Sequence, residues 1–282
     1  MKKTIITLLA LAGMASAVDT DITLLYGLDF NKTGTANNSG GVLYENKAEE
    51  AGTGSINTVG SGFRNYVTGM DGTKASDIRG ASYYYQINSA KDSTTGLGVN
   101  TTDGFTLTFN ANFITNDDWT SFMEFNIGGQ SLVFQWGDYN LTSVNVFTKE
   151  GGAAGTGTGE TAKLSAGSIA KETWYNIALV AKNGSLTLSA FDSSGKLIST
   201  DTVTAAYTGN LNSVSGYTDY KFTKSYIDNL AIYDGALTAD QLSTLTKYEM
   251  ANQTVMQIIP EPTTATLSLF ALAGLAARRR RR

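Results

Sequence analysis

TWYNIALVAKNGSLTLSAFDSSGKLISTDTV, residues 173–203, holds two turn signals between three strand-like runs. Asn183-Gly184 offers two adjacent residues that tolerate positive φ, as a two-residue hairpin requires, and so joins a strand over 175–181 to one over 186–191. Asp192-Ser193-Ser194-Gly195 then turns the chain into a third strand over 196–202, because an Asp side chain bonds the backbone two residues on and Gly accepts the left-handed position. Three antiparallel strands need more structure to cover their apolar face.

The flanking sequence supplies it. Downstream, residues 225–233 read as a last strand, and Thr238 begins a T-x-x-Q capping box in which Gln241 reaches back to the helix start. Leu242 and Leu245 would pin that short helix against a sheet. Upstream, residues 104–113 alternate: Phe105, Leu107, Phe109, Ala111 and Phe113 share one face, Thr106, Thr108, Asn110 and Asn112 the other. This predicts a half-buried strand. Runs over 121–127 and 130–136, separated by Gly128-Gly129, and over 143–148 extend it as a meander, which ends before the flexible stretch GGAAGTGTGE at 151–160. Residues 31–100 are rich in Gly, Ser, Thr and Asn, with weaker strands such as 81–87 between long loops.

The chain has only 2 prolines, Pro260 and Pro262, so none interrupts these runs, and a closed double sheet is the economical architecture. Its 14 Tyr, 12 Phe and 3 Trp supply a core. Each large side chain, fully buried, contributes roughly 1.5–3 kcal/mol. An all-β sandwich with a short C-terminal helix is the expected fold.

Composition limits the chemistry. With 282 residues the chain can hold one large β domain or two small ones. Cys and His both number 0, which removes disulfides, thiol nucleophiles, imidazole bases and the usual zinc ligands. Seven of the 21 basic residues sit at the two ends, leaving 14 against 25 acids, a net of −11 for the body. Such a body argues against nucleic acid or anionic lipid as partner.

Both ends read as addresses. Lys2 and Lys3 precede an apolar run at 5–12, and Ala15-Ser16-Ala17 supplies the small-residue site of signal peptidase, with cleavage expected after Ala17. At the other end, Pro260-Glu261-Pro262 precedes an apolar run at 263–277 and the arginines Arg278, Arg279, Arg280, Arg281 and Arg282. As a helix that run would be about 22 Å long, short of a hydrocarbon core near 30 Å. Arginine snorkelling and local thinning make up the difference. The arginines would hold the C-terminus in the cytoplasm as a transmembrane helix, with the body outside.

The tail resembles the PEP-CTERM sorting signal of Gram-negative bacteria that make exopolysaccharide. That resemblance implies recognition and cutting by an exosortase, a membrane-embedded transpeptidase-like enzyme, and release or transfer of the body to the cell surface. A second resemblance covers the body. Residues 172–200, followed by SYIDNLAIYDGALTADQLSTL at 225–245, look like the closing half of a laminin-G-like, concanavalin A-like jelly roll. In that family a tryptophan opens the strand before a hairpin, an Ile-Asp pair sits in the final strand and an Ala-Leu-Thr helix start follows. LLYGLDFNKTGTANNSG at 24–40 resembles its first strand and loop. The organisation implied is a signal peptide at 1–17, a jelly roll at 18–248, a linker at 249–259 and a sorting signal at 260–282. Many such domains bind glycans or proteins, and several hold calcium with Asp, Asn and backbone oxygens.

Candidate chemistry is sparse. Glucanases of the same superfamily carry E-x-D-x-x-E, three carboxylates on one strand face. Here Glu124 is followed by Asn126 and Gly129 at the other two positions, so Glu124 is read as a rim residue. Asp29 and Asn31 begin a D-x-N-x-x-G loop of the calcium-binding kind, without the closing glutamate. Asn116, Asp117 and Asp118 form a comparable cluster; in both places turn formation accounts for the residues. Gly155-Thr156-Gly157-Thr158-Gly159 lacks the G-K-[ST] of a phosphate loop. Trp136 and Trp174 are expected in the core, while Trp119, beside Asp117 and Asp118, is the candidate for ligand contact. The functions in view are an exported non-catalytic surface protein binding glycan or matrix protein, a structural matrix protein without ligand, and a glycoside hydrolase.

Overall fold

The computed structural model describes residues 22–28, 30, 33–36, 42–44, 55–59, 65–70, 72, 74–77, 84–88, 94–114, 120–137, 142–148, 164–204, 207–216 and 225–249. In chain order these form β1 (Leu24–Leu28), β2 (Thr33–Ala36), β3 (Val42–Tyr44), β4 (Ser55–Val59), β5 (Asn65–Thr68), β6 (Lys74–Asp77), β7 (Tyr84–Asn88) and β8 (Phe105–Phe113). There follow β9 (Thr120–Ile127), β10 (Gln130–Trp136), β11 (Val144–Thr148), β12 (Leu164–Ala166), β13 (Trp174–Lys182), β14 (Ser185–Asp192), β15 (Leu197–Val203), β16 (Leu211–Gly216), β17 (Ser225–Tyr233) and α1 (Ala239–Glu249).

The deciding stretch folds as its turns dictate. Asn183 and Gly184 both take positive φ, 51° and 76°, so β13 and β14 pair in unbroken register from Lys182–Ser185 to Tyr175–Asp192. At the next turn Asp192 Oδ1 accepts from the Ser194 and Lys196 backbone N–H groups and the Ser194 hydroxyl, while Gly195 takes φ 77°. Partial burial pushes the Asp192 carboxyl up. The hydrogen bonds from Ser194 and Lys196 and the Lys196 charge outweigh it and hold the group below its ordinary value.

Two antiparallel sheets form the sandwich. The first runs β15-β14-β13-β8-β17-β6-β5, with β1 also on β17, and the second runs β12-β11-β10-β9-β16-β7-β4. Strands β9 to β11 form the meander read from the sequence, and β12, not foreseen there, pairs onto its edge. β8 is not part of it: it lies in the first sheet, between β13 and β17. Alternation reports which residues share a face, not which strands pair, so the crossover after β8 was invisible to it. The weak strand expected at 81–87 is β7, which begins at Tyr84.

Between the sheets, Phe109 meets Phe122 and Phe134 edge-on at 5.8 and 5.3 Å, and Phe113 stacks on Trp136 at 4.5 Å. All five rings are fully buried, and Trp136 thus lies in the core as expected. β8 is buried on both faces, however, and not half-buried. On its outer side the chain after β17 folds back, so that Thr106 Oγ1 donates to the Gly235 carbonyl and accepts from the Leu237 N–H. Leu237, Leu242 and Leu245 then cover Leu24, Ala178, Phe191, Ala231 and Tyr233 as a second, smaller core. The helix begins as its sequence predicts: Thr238 N–H donates to Gln241 Oε1 at 2.8 Å and Gln241 N–H to Thr238 Oγ1 at 3.2 Å.

Among the described residues no helix is long and apolar enough to cross a membrane. The expected signal peptide with Ala15 and Ala17, the glycine-rich stretch 151–160, the linker beyond Glu249, which itself ends α1, the motif Pro260-Glu261-Pro262, the apolar run 263–277 and the five arginines lie outside the described residues.

Candidate functional site

The outer face of the first sheet is built from every second residue of its strands. Phe109, Ala111 and Phe113 point into the core, so Asn110 and Asn112 of β8 point out. Register extends the rows. Asn110 lies opposite Asn176 of β13 and Asp228 of β17, and Asn112 lies opposite Trp174 and Tyr226.

Trp174 is therefore not a core residue. It sits on the outer face, partly exposed, because it alternates with the inward Tyr175 and Ile177. Its ring and that of Tyr226, also partly exposed, lie 6.4 Å apart with their planes tilted by 34°. Strands two apart in a sheet stand roughly 9.6 Å apart, so the two rings converge over the intervening Asn112. Beneath them Asn112 keeps only 9% of its surface.

The inner row is a buried amide network. Thr108 Oγ1 donates to Asn176 Oδ1 at 3.1 Å, and Asn176 Nδ2 donates to Asn110 Oδ1 at 2.9 Å. Asp228, fully buried, accepts from the Asn229 N–H through Oδ1 at 2.9 Å. Its carboxyl also lies against Gly69, where any side chain would collide with it. Asn229 takes φ 47° in a bulge between Asp228 and Ala231, which is also where the neighbour of β17 changes from β6 to β1. In this cluster the amide atoms Asn110 Nδ2 and Asn112 Oδ1 are buried without a hydrogen-bond partner, and the second carboxylate oxygen of Asp228, opposite Asn110, accepts no hydrogen bond either. Buried amides are nearly always partnered, so two in one patch, under an aromatic cover, mark a candidate binding site.

The residues singled out in the sequence are placed differently. Asp29, Asn31, Asn116, Asp117, Asp118 and Trp119 lie outside the described residues. Glu124 is half-buried on β9, opposite Val133 and Ser215. Asn126 fixes the following turn, its Oδ1 accepting from the Gly129 N–H and from Asn212 Nδ2. Gly128 and Gly129 take φ 59° and 88° as that turn requires. Among the described residues no three of His, Cys, Asp and Glu gather as metal ligands. A depression of 470 Å³ beside α1, lined by Phe191, Lys196, Leu197, Asp240, Ser243 and Lys247, mixes both charge signs. Sequence reasoning missed Asn112 and Tyr226. The signal it had was the Asn-x-Asn of β8, since asparagine is depleted in strands and two at outward positions ask for a reason.

Two antiparallel sheets packed in this order, with a short helix closing part of one face, define an all-β sandwich. Solved structures share that architecture. The binding domain of Paraclostridial Mosquitocidal Protein 1 superposes with a TM-score of 0.52 at 13% identity, over 79% of this chain and 52% of that one. The binding domain of botulinum neurotoxin DC in complex with rat synaptotagmin II gives 0.53 at 10% identity, over 80% and 52%. The same toxin's domain in complex with SialylT gives 0.51 at 11% identity, over 82% and 52%. The chain spans about half the length of these solved binding domains, and the likeness is one of fold. No protein-family model and no curated protein matches the chain.

Proposed function

We propose that the chain is an exported, non-catalytic cell-surface or matrix protein whose sandwich binds carbohydrate or protein. The observation that carries this reading is the convergence of Trp174 and Tyr226 over Asn112, whose Oδ1 has no partner. Aromatic faces beside a few fixed polar groups are the usual make-up of a ligand site. The fold neighbours support it, since they are binding domains, one in complex with rat synaptotagmin II and one with SialylT.

Export and sorting belong to the same proposal and rest on the two ends of the sequence. Signal peptidase cuts after Ala17. Pro260-Glu261-Pro262 presents an inner-membrane-anchored precursor to an exosortase, with Arg278 to Arg282 left in the cytoplasm. The oxygen-rich loop that begins at Asp29 and Asn31 is the candidate calcium site of this reading.

The test is an array of glycans and matrix proteins probed with the full chain, with and without chelator. Binding to at least one class is expected, and absence of binding to all of them at high protein concentration overturns the reading. Hydrolysis of a β-glucan that disappears in Glu124→Gln would replace it with the hydrolase. A tagged chain recovered from the cytosol with both ends uncut would remove the export proposal and leave the binding reading standing.

A further inference from the structure

The geometry points to the ligand of this patch: we infer that the Trp174–Asn112–Tyr226 row binds a neutral sugar through adjacent hydroxyl groups, without calcium. The inference rests on the binding reading above and sharpens it to one chemistry.

The atoms without partners set the first condition. Asn112 Oδ1 asks for a donor and Asn110 Nδ2 for an acceptor. The two residues are two positions apart on β8 and so share a face, roughly 7 Å apart along the strand. A hydroxyl group both donates and accepts, so a ligand bearing several hydroxyls satisfies the pair, whereas a carboxylate or sulfate only accepts. Tyr226 and Trp174 set the second condition, because their faces need an apolar surface, which the C–H face of a sugar ring presents beside its hydroxyls. Charge sets the third. The Asp228 carboxyl lies beside Asn110 in the inner row and the body carries 14 basic against 25 acidic residues, so an anionic sugar approaches against the field.

Both polar atoms are closed to solvent in the free chain. Reaching Asn112 Oδ1 requires the two rings above it to part by a change of rotamer. The amide is thus held dry until a ligand displaces the rings. An unpartnered buried amide costs stability, and a natural chain keeps such a cost where function needs it.

This supplies a test in which structural and binding roles give opposite signs. Purified full-length chain is titrated by calorimetry with neutral trisaccharides (maltotriose, cellotriose, mannotriose) and with anionic ones (sialyllactose, trigalacturonate), each with and without EDTA. Asn112→Leu keeps the shape and removes the orphaned acceptor; Trp174→Ala removes one ring. Expected is binding to at least one neutral sugar, insensitive to EDTA, weakened at least 10-fold in both variants, while the melting temperature of Asn112→Leu equals or exceeds that of the wild type. Neutral binding that survives both substitutions places the site elsewhere and overturns the inference. Binding confined to anionic sugars, or abolished by EDTA, overturns it too, with the wider binding reading intact. If no sugar binds, the inference fails, and the matrix-protein arm of the array alone decides the wider reading.

Discussion

The outer face of the first sheet carries Ala178, Ala231 and Tyr233 towards one end and Asn110, Asn112, Asn176 and Asp228 towards the other, with Phe191 beside Asn176. Both groups are buried to about the same extent. The apolar end is covered by Leu237, Leu242 and Leu245, which belong to the segment just beyond the sheet. The amide end is covered, over Asn112, by aromatic side chains of its own strands. The first arrangement sets apolar side chains on apolar side chains, and the second holds two amide atoms, Asn110 Nδ2 and Asn112 Oδ1, without a hydrogen-bond partner. Burial is alike at the two ends, and the amide end, roofed over Asn112 by the partly exposed rings of Trp174 and Tyr226, is the one that a ligand can reach.

Substitutions at the two ends break or sharpen this contrast. The largest effect is expected from Leu245→Ala, which opens a cavity under the helix at the apolar end. A loss of about 2–5 kcal/mol in urea unfolding follows from the deleted leucine side chain, and a loss below 1 would mean the helix barely contributes. Next comes Asn176→Ala at the amide end, which strands Thr108 Oγ1 and Asn110 Oδ1. Unfolding should show a loss of about 1–3 kcal/mol, and a stabilised variant would show the network to be as strained as its two orphaned atoms.

Thr238→Ala removes half of the capping box and with it about 1 kcal/mol, read from the same urea curves. The loss should vanish if Gln241 alone suffices. The smallest effect belongs to Asp192, outside both ends, and serves as a control. Its carboxyl is held below the ordinary value, so its contribution is full above about pH 4, where the unfolded aspartate is ionised, and is lost as pH falls through the lower folded value. The stability gap between wild type and Asp192→Asn at pH 7 should close on acidification. A gap that persists unchanged at pH 3 would assign the turn's stability to geometry alone.

Much of the fold was legible because turns and caps are local. Asn183-Gly184 set a hairpin whose φ values follow from the two residue types, and Thr238 with Gln241 marked the helix start to the residue. The partner of β8 was not legible, since nothing in 105–113 says whether the next strand lies beside it or across the sandwich. Trp174 failed for a related reason. Reading a tryptophan among apolar neighbours as core ignored that it alternates with Tyr175 and Ile177, whose inward direction fixed its own. The candidate site was the least legible part, because Trp174, Asn112 and Tyr226 come from three strands far apart in the chain and meet only through register.

The pairing of β1 with β17 has a further consequence. Thr23 N–H donates to Asp234 Oδ1 across a separation of 211 residues, and the strand that joins them lies between β8 and both β1 and β6. A polypeptide still emerging from the ribosome lacks this keystone until residue 233 has been added. Its first strand cannot take its place in the sheet until β17 has emerged about 200 residues later, so the sandwich closes late and slowly, by a contact between strands far apart in the chain.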